Sequence, residues 1–402
     1  MEGDSMTFRV GLAGLGAAAR QILPAFKRTH DVELAAVADT RSEALDEFKA
    51  RGVQTFDSVE GLARSNAVDA IWIATPNANH MEHAILAAQH GKHLICEKPM
   101  ALNLEQAQAM VDAVDANHVV YVQGHSKIYN PPVRKMREIV VGGELGRVYQ
   151  INSWNYRNWL NQPRLPSEVD TATGGGVVYR QGPHQMDVVR CIGGGMVKSV
   201  RGSVGRWNPN FNTEGNFCAF LEFEDGTTAT TSLQGYDFFD VTELTWGIGE
   251  GGQQTPIERL YDSHVQDQRL TAAFEPAAKY ALPEYTESHM EERQNRRQFQ
   301  PFYGLTIVSC ERGDIRQSPE GIFVYTEKGR TEVPCGEERG HASELTELYE
   351  AVTQQRPSFP DARWGMATLE VLLTIMQSAK EHREIELKHQ VPVPAAAIPA
   401  AV

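Results

Sequence analysis

Between Phe8 and Gln123 short apolar runs alternate with stretches of helical spacing, and this rhythm constrains the fold more than any other feature of the chain. The runs Phe8–Ala13, Val32–Ala38, Ala70–Ala74, His93–Cys96 and Val119–Gln123 have the length and composition of strands. Strands separated by helices build βαβ units on a parallel sheet. One helix is expected over 42–51 behind a Thr40–Glu43 capping box, and another is opened by Asn103 with Gln106 in its first turn. The pattern predicts a doubly wound α/β domain over residues 1–126.

Beyond Gln123 the texture changes. Pro131-Pro132 starts a helix that runs to Val141 and stops at Gly142-Gly143. Val148–Trp154, Ser199–Gly205, Phe217–Phe223 and Thr227–Leu233 read as strands, the last two joined by the hairpin signal Glu224-Asp225-Gly226. Leu305–Cys310, Gly321–Tyr325 and Thr331–Val333 continue the series, and Ala342–Gln354 and Trp364–Arg383 read as helices. A second α/β domain over 127–389 follows, with an open, mostly antiparallel sheet and helices on one side. The polar stretch 249–300 reads as an oligomer arm or a lid, and the Pro/Ala-rich residues 390–402 as a flexible tail.

Charge and cysteine usage remove several classes of function. With 38 basic and 52 acidic residues the net charge is −14, which argues against nucleic acid or an anionic membrane as partner. No apolar run approaches the ~20 residues that span a bilayer. The acidic start, Met1 to Ser5, lacks the basic-then-apolar order of a signal peptide. The cysteines, at 96, 191, 218, 310 and 335, contain no CxxC pair. Reduced thiols in a cytoplasmic enzyme fit them better than a disulfide or zinc framework, so no metal site is expected.

A glycine turn follows the first strand: Gly11, Gly14 and Gly16, with Leu15 between the last two and Ala17-Ala18 opening a helix. Glycines there allow the backbone close to a pyrophosphate, which binds at the helix N-terminus. Asp39 ends the second strand, where a carboxylate bonds ribose hydroxyls and repels a 2′-phosphate. NAD is therefore favoured, while Arg41, just past Thr40, leaves NADP open. Thr75-Pro76-Asn77 is expected beside the nicotinamide ribose, with His80 shortly after it. Cys96-Glu97-Lys98-Pro99 closes another strand. Ligands of open α/β sheets sit beyond such carboxyl ends, so Lys98 can meet both cofactor and substrate.

A second block runs from Gly174-Gly175-Gly176 through Tyr179-Arg180-Gln181-Gly182-Pro183-His184 to Asp187. Pro183 suits the first position of a helix, which puts His184 in its first turn. The helix dipole disfavours an imidazolium there, and a neutral histidine is a competent general base. Asp187 either touches substrate or stabilises the helix start.

Glu97-Lys98-Pro99, Thr75-Pro76-Asn77 with His80, and the glycine triplet leading to His184 and Asp187 resemble the glucose–fructose oxidoreductase/inositol dehydrogenase (Gfo/Idh/MocA) family over about residues 6–389. The resemblance implies a Rossmann domain joined to an α/β domain, NAD(P)-dependent oxidation of an alcohol, and a dimer or tetramer built on the second sheet. It also implies that Lys98 and His184 touch substrate and exchange its proton. Many members carry an aspartate where this chain has Arg180. A cation there would lower the pKa of Lys98 and His184 and favour an anionic substrate. Arg157 and Arg164, with Asn155 and Tyr156, would supply a second clamp for carboxylates. The wording from Tyr179 to Gln185 is similar to a narrower branch, the bacterial cis-dihydrodiol dehydrogenases of phthalate degradation. That branch implies oxidation of 4,5-dihydro-4,5-dihydroxyphthalate to 4,5-dihydroxyphthalate. A sugar or inositol dehydrogenase, and a cofactor-binding regulator without turnover, stay open beside it.

Overall fold

The computed structural model describes residues 7–260 and 298–395, apart from 161, 163, 237, 338 and 339. Most of the stretch read as an arm or lid, from 261 to 297, lies outside the described residues. The chain divides into two compact units, Met1–Ser126 with Arg339–Leu369, and Lys127–Glu338 with Glu370–Val402. No helix among the described residues is long and apolar enough to cross a membrane.

The first unit holds β1 (Phe8–Ala13), α1 (Ala17–Phe26), β2 (Val32–Ala38), α2 (Ser42–Ala50), β3 (Gln54–Phe56), α3 (Val59–Arg64), β4 (Ala70–Ile73), α4 (His80–Gln89), β5 (His93–Glu97), α5 (Leu104–Ala116) and β6 (Tyr121–Gly124). Its six strands are all parallel in the order β3-β2-β1-β4-β5-β6. This is the doubly wound order with a switch point between β1 and β4. Each residue of β4 is buried, as in a strand covered on both faces. Asn103 caps α5 as expected, and Gln106 returns a bond to the Leu102 amide. The Thr40 capping box does not form: Arg41 is the N-cap of α2, and no side chain caps it. The short β3 has only Phe56 as a large apolar residue, so periodicity could not reveal it.

Residues 339–369, expected in the second domain, belong to the first unit. Helix Ala342–Thr353 places Ala342, Leu345 and Leu348 on one stripe, fully buried in the core of Phe8, Val10, Leu12, Ile22 and Trp72. Burying each leucine stabilises the unit by about 1.5–3 kcal/mol. That is reason enough for a distant segment to return.

The second unit holds α6 (Pro131–Gly142), β7 (Val148–Tyr156), α7 (Gly176–Arg180), α8 (Gly182–Gly193), β8 (Val197–Gly205), β9 (Asn216–Phe223), β10 (Thr228–Gln234), β11 (Leu305–Cys310), β12 (Gly313–Gln317), β13 (Gly321–Thr326), β14 (Gly329–Pro334) and β15 (Ile385–Glu386). The sheet order is β14-β13-β12-β11-β7-β10-β9-β8-β15, antiparallel except for the β7–β10 pair. Gly143 takes the left-handed conformation that ends α6. Buried and accessible residues alternate along β9 and β10, so one face is packed and the other open. The buried Gln185 of α8 ties helix to sheet by donating to the carbonyls of Ser153 and Ser232. β12 carries a single large apolar residue, Ile315, and no alternation announced it.

The start of the expected flexible tail is held. Gln390 donates to Glu370, accepts from Arg190, and the Val393 amide bonds the Gly194 carbonyl. The part of the tail beyond 395 lies outside the described residues.

Candidate active site

In the first unit the site is built on strand ends. Gly14 has φ +89°, and a Cβ there would lie 2.7 Å from the Ala74 carbonyl oxygen, so only glycine fits between the ends of β1 and β4. Gly16 is the N-cap of α1, with no side chain bonded to the helix end and open space at its own Cβ position. Ala17 and Ala18 begin the helix. This cradle suits a pyrophosphate, because the free amides at the start of α1 and the helix dipole favour an anion. Gly11 does something else: a Cβ there would meet Leu62 at 2.9 Å, so its smallness serves core packing rather than cofactor contact.

Asp39 lies at the end of β2 as expected, with its carboxylate fully engaged. One oxygen accepts from the Arg41 amide and Nε, the other from the Leu15 amide and Arg41 Nη2 at 2.9 Å. Burial alone would raise this carboxyl, but the Arg41 guanidinium and the two amides outweigh it and hold the group below the usual carboxylate range. Arg41 also reaches the Leu15 carbonyl, so it braces the glycine turn against Asp39. Thr40 sits between these two partners.

At the end of β4, Thr75 Oγ1 bonds His83 Nδ1 at 2.9 Å, and Pro76 leads into a short turn over Asn77–Asn79 with Asn77 buried. His80 is buried and bonds two carbonyl oxygens, those of Thr75 and Pro99. Lys98 follows β5 directly and is partly accessible. Glu97, expected near the cofactor, turns inward and accepts from the buried Trp72 indole at 3.2 Å. Its role is to fix the strand end from below.

In the second unit Pro183 stands in the first turn of α8, followed by His184. The His184 ring meets the Tyr303 ring edge-on at 5.2 Å. The Tyr303 hydroxyl donates to the Gln181 carbonyl at 2.8 Å and lies 3.0 Å from Gln181 Oε1. Tyr303 thus holds both the histidine and the residue that caps its helix. The glycine triplet has a structural cause. Gly176 has φ +86° and packs on Thr213 and Glu214, and the Glu214 carboxylate accepts from the Val178 amide and the Thr171 hydroxyl. Burial pushes the Glu214 carboxyl up despite those bonds.

The expected anion clamps are differently engaged. Arg180 donates to Glu168 at 2.7 Å, and the other Glu168 oxygen accepts from the Leu165 amide. Its charge is matched by a nearly buried carboxylate, so Arg180 does not bring the uncompensated positive charge expected of it. Arg164 is buried, with its guanidinium 4.3 Å from the Trp159 ring centroid and its Nε on the Trp159 carbonyl. It shapes the loop and is not a second clamp. Asp187 and Asn155 are both buried, which places them in the packing of the unit rather than on an accessible surface. Tyr156 remains partly accessible and meets Phe239 edge-on at 5.8 Å.

Arg157 is part of a cluster. It donates to Gln181 Oε1 at 3.1 Å and forks onto both oxygens of Glu250 at 3.2 Å. Lys127 Nζ lies 3.8 Å from Glu250 and 5.9 Å from the Tyr303 ring centroid. Against the cost of burial, Arg157 and Lys127 hold the Glu250 carboxyl far below its usual range. Glu250 keeps 43% of its side chain exposed, so solvent screens the pair. Lys127, Glu250, Tyr303 and Gln181 were missed as site residues because no motif links them: Glu250 and Arg157 are 93 positions apart, Tyr303 and Gln181 122.

A strand, a glycine turn, a helix and a carboxylate ending the next strand define a dinucleotide-binding protein. Residues 8–125 match the model of the GFO_IDH_MocA oxidoreductase family with its NAD-binding Rossmann fold, and residues 133–237 match the GFO/IDH/MocA C-terminal domain. A 1-carboxy-3-chloro-3,4-dihydroxycyclohexa-1,5-diene dehydrogenase of Comamonas testosteroni is 30% identical over 390 residues, 92% of this chain and 95% of its own. The crystal structure of a protein from Bordetella bronchiseptica RB50, described as a dehydrogenase, superposes with TM-score 0.83 at 34% identity, covering 95% of this chain and all (100%) of that one. The WlbA dehydrogenase of Bordetella pertussis, solved with NADH and UDP-GlcNAcA, shares the fold at TM-score 0.69 and 20% identity, over 95% of this chain and 99% of that one. The chain belongs to the Gfo/Idh/MocA family of NAD-binding oxidoreductases.

Proposed function

We propose that the protein oxidises a carboxylated aromatic cis-dihydrodiol, with 4,5-dihydro-4,5-dihydroxyphthalate as the first candidate, using NAD. The observation that carries this reading is the cluster beside His184, where Lys127 and Arg157 share the carboxylate of Glu250, and Asp240 acts on Arg157 without an ion-pair contact. A substrate carboxylate can replace Glu250 on the Arg157 fork, which favours an anionic substrate. The Comamonas relative, by its name, acts on a carboxylated dihydroxycyclohexadiene, which agrees with the same substrate class.

Bound NAD supplies the hydride acceptor. Lys98 and His184 are assigned the proton transfer: either, in its neutral form, can accept the hydroxyl proton. His184 stands in the first turn of α8, with the Glu250 carboxylate within electrostatic reach, and its neutral imidazole can accept the proton. The oxidised carbon becomes a ketone; the neighbouring hydroxyl-bearing carbon then loses its C–H proton to solvent while the ketone oxygen gains one, and the dienone becomes a catechol. Aromatisation makes the sequence nearly irreversible, so the chain's residues need only orient the diol and move one proton.

The test is NADH formation from NAD with a panel of diols. Signal from the carboxylated cis-dihydrodiol and none from neutral polyols supports the reading. Signal from inositols or sugars alone points to the polyol dehydrogenase reading, and silence from every substrate points to a regulator.

We also propose that the open face of the second sheet pairs with a second copy. Phe220 and Trp154 lie exposed there among Thr230, Asn152 and Ser232. Phe220→Asp should shift the mass in solution to that of a smaller assembly, and an unchanged mass removes this face from the interface. All five thiols are free, which fits the reducing cytoplasm.

A further inference from the structure

His80 is the first residue of α4 and only 1% exposed. Its Nδ1 lies 2.8 Å from the Pro99 carbonyl oxygen and its Nε2 lies 2.9 Å from the Thr75 carbonyl oxygen. A carbonyl oxygen can only accept. A neutral imidazole has one N–H and one lone pair, so either tautomer turns a lone pair toward a carbonyl. Rotating the ring by 180° brings carbons to both oxygens and loses both bonds. Only the doubly protonated ring donates to both.

We propose that His80 is a positioning residue for the cofactor half, acting as an imidazolium that clamps the loop after β4 to the Lys98-Pro99 turn after β5. Two charge-assisted bonds at these distances offset the cost of burying the cation and of placing it in a helix's first turn. The ionisable neighbours on the elements it joins are Lys98, one residue before Pro99, Glu82 in the same helical turn, and His83. His83 bonds Thr75 Oγ1 and is itself held below the ordinary histidine range by burial. The inference concerns the NAD half and holds whichever alcohol is oxidised.

A histidine whose protonated form is favoured by folding gives its contribution in full below the ordinary pKa of about 6.5 and loses it as pH rises through the higher folded value. The experiment uses the full-length protein with NADH bound and its histidine rings labelled with ¹⁵N, His80 being assigned by the signal that His80→Gln removes. Both ring nitrogens should carry protons at pH 7.5, where free imidazole is mostly neutral. A His80 nitrogen found unprotonated at that pH overturns the proposal. NADH affinity, read by its fluorescence, should be level at lower pH and fall at least about fivefold as His80 deprotonates. His80→Gln, able to donate to one carbonyl only, should lack that step. A wild-type affinity that does not change through the deprotonation seen by NMR removes the positioning role.

Discussion

The candidate residues of the two units are held by different materials. In the first unit backbone groups do most of the holding: the Gly14 turn against Ala74, the Leu15 amide on Asp39, and the Thr75 and Pro99 carbonyls on His80. In the second unit the work falls to side chains paired with side chains: Arg180 with Glu168, Arg157 with Glu250, and Tyr303 with Gln181. A backbone site is set by where strands end and turns fit, so its chemistry stays the same while the surface around it varies. A site of ion pairs can be retuned by one substitution, because each charge depends on one partner. The first unit thus suits a common reagent, and the second can be retuned for a particular one.

The sharpest way to break this division is at Lys98, the one side chain of the first unit assigned to chemistry. Lys98→Met should lower kcat by roughly 10³-fold, the scale of a lost general acid or base, while NADH affinity stays within a factor of about three. Full turnover with normal NADH binding would remove Lys98 from the mechanism. Next comes the backbone itself. Gly14→Ala forces an alanine to φ +89° and sets its Cβ against the Ala74 carbonyl. At about 1–3 kcal/mol of strain, NADH affinity measured by fluorescence should fall roughly 5- to 150-fold. Unchanged affinity would mean that the turn relaxes freely and that the cradle is not backbone-defined.

The same division explains what could be read from the sequence. Phe8–Ala13, Val32–Ala38 and Leu305–Cys310 match observed strands residue for residue, because apolar runs bounded by turn residues are local facts. The glycine turn, Asp39, and the place of His184 behind Pro183 are local too. The pairing of Arg180 with Glu168 and of Arg157 with Glu250 is not. It depends on loops that close only when the second sheet forms, and an arginine without its partner reads as a free clamp. Helix Ala342–Thr353 makes the same point for the fold: its buried stripe was visible, while the core that receives it lies more than 200 residues earlier.

A medium effect tests the pairing of Arg180 with Glu168. Glu168→Gln keeps the volume but leaves Arg180 facing a neutral amide beside the Leu165 loop. Breaking a buried pair costs about 3–5 kcal/mol, and Arg180 keeps 25% of its side chain exposed, so about 2 kcal/mol is expected, read as a lower unfolding midpoint in urea. Stability unchanged, with weaker binding of anionic diols, would return Arg180 and Glu168 to the substrate.

The smallest expected effect bears most directly on how the second unit chooses its substrate. Glu250 takes up the Arg157 fork that a substrate carboxylate would otherwise fill, and Lys127 stands beside it. Glu250→Gln removes the competing anion and leaves the cluster one charge more positive. Exposure of the pair limits the gain to about 1 kcal/mol, or roughly fivefold tighter binding of an aromatic dicarboxylate such as phthalate, measured by calorimetry. The gain should shrink as salt is raised, since exposed charges are screened within about 10 Å at 0.1 M. A neutral diol should bind both forms alike. Weaker phthalate binding to Glu250→Gln would show instead that Glu250 is needed to hold Arg157 in place, and that the second unit, like the first, relies on a fixed frame rather than on an exchangeable charge.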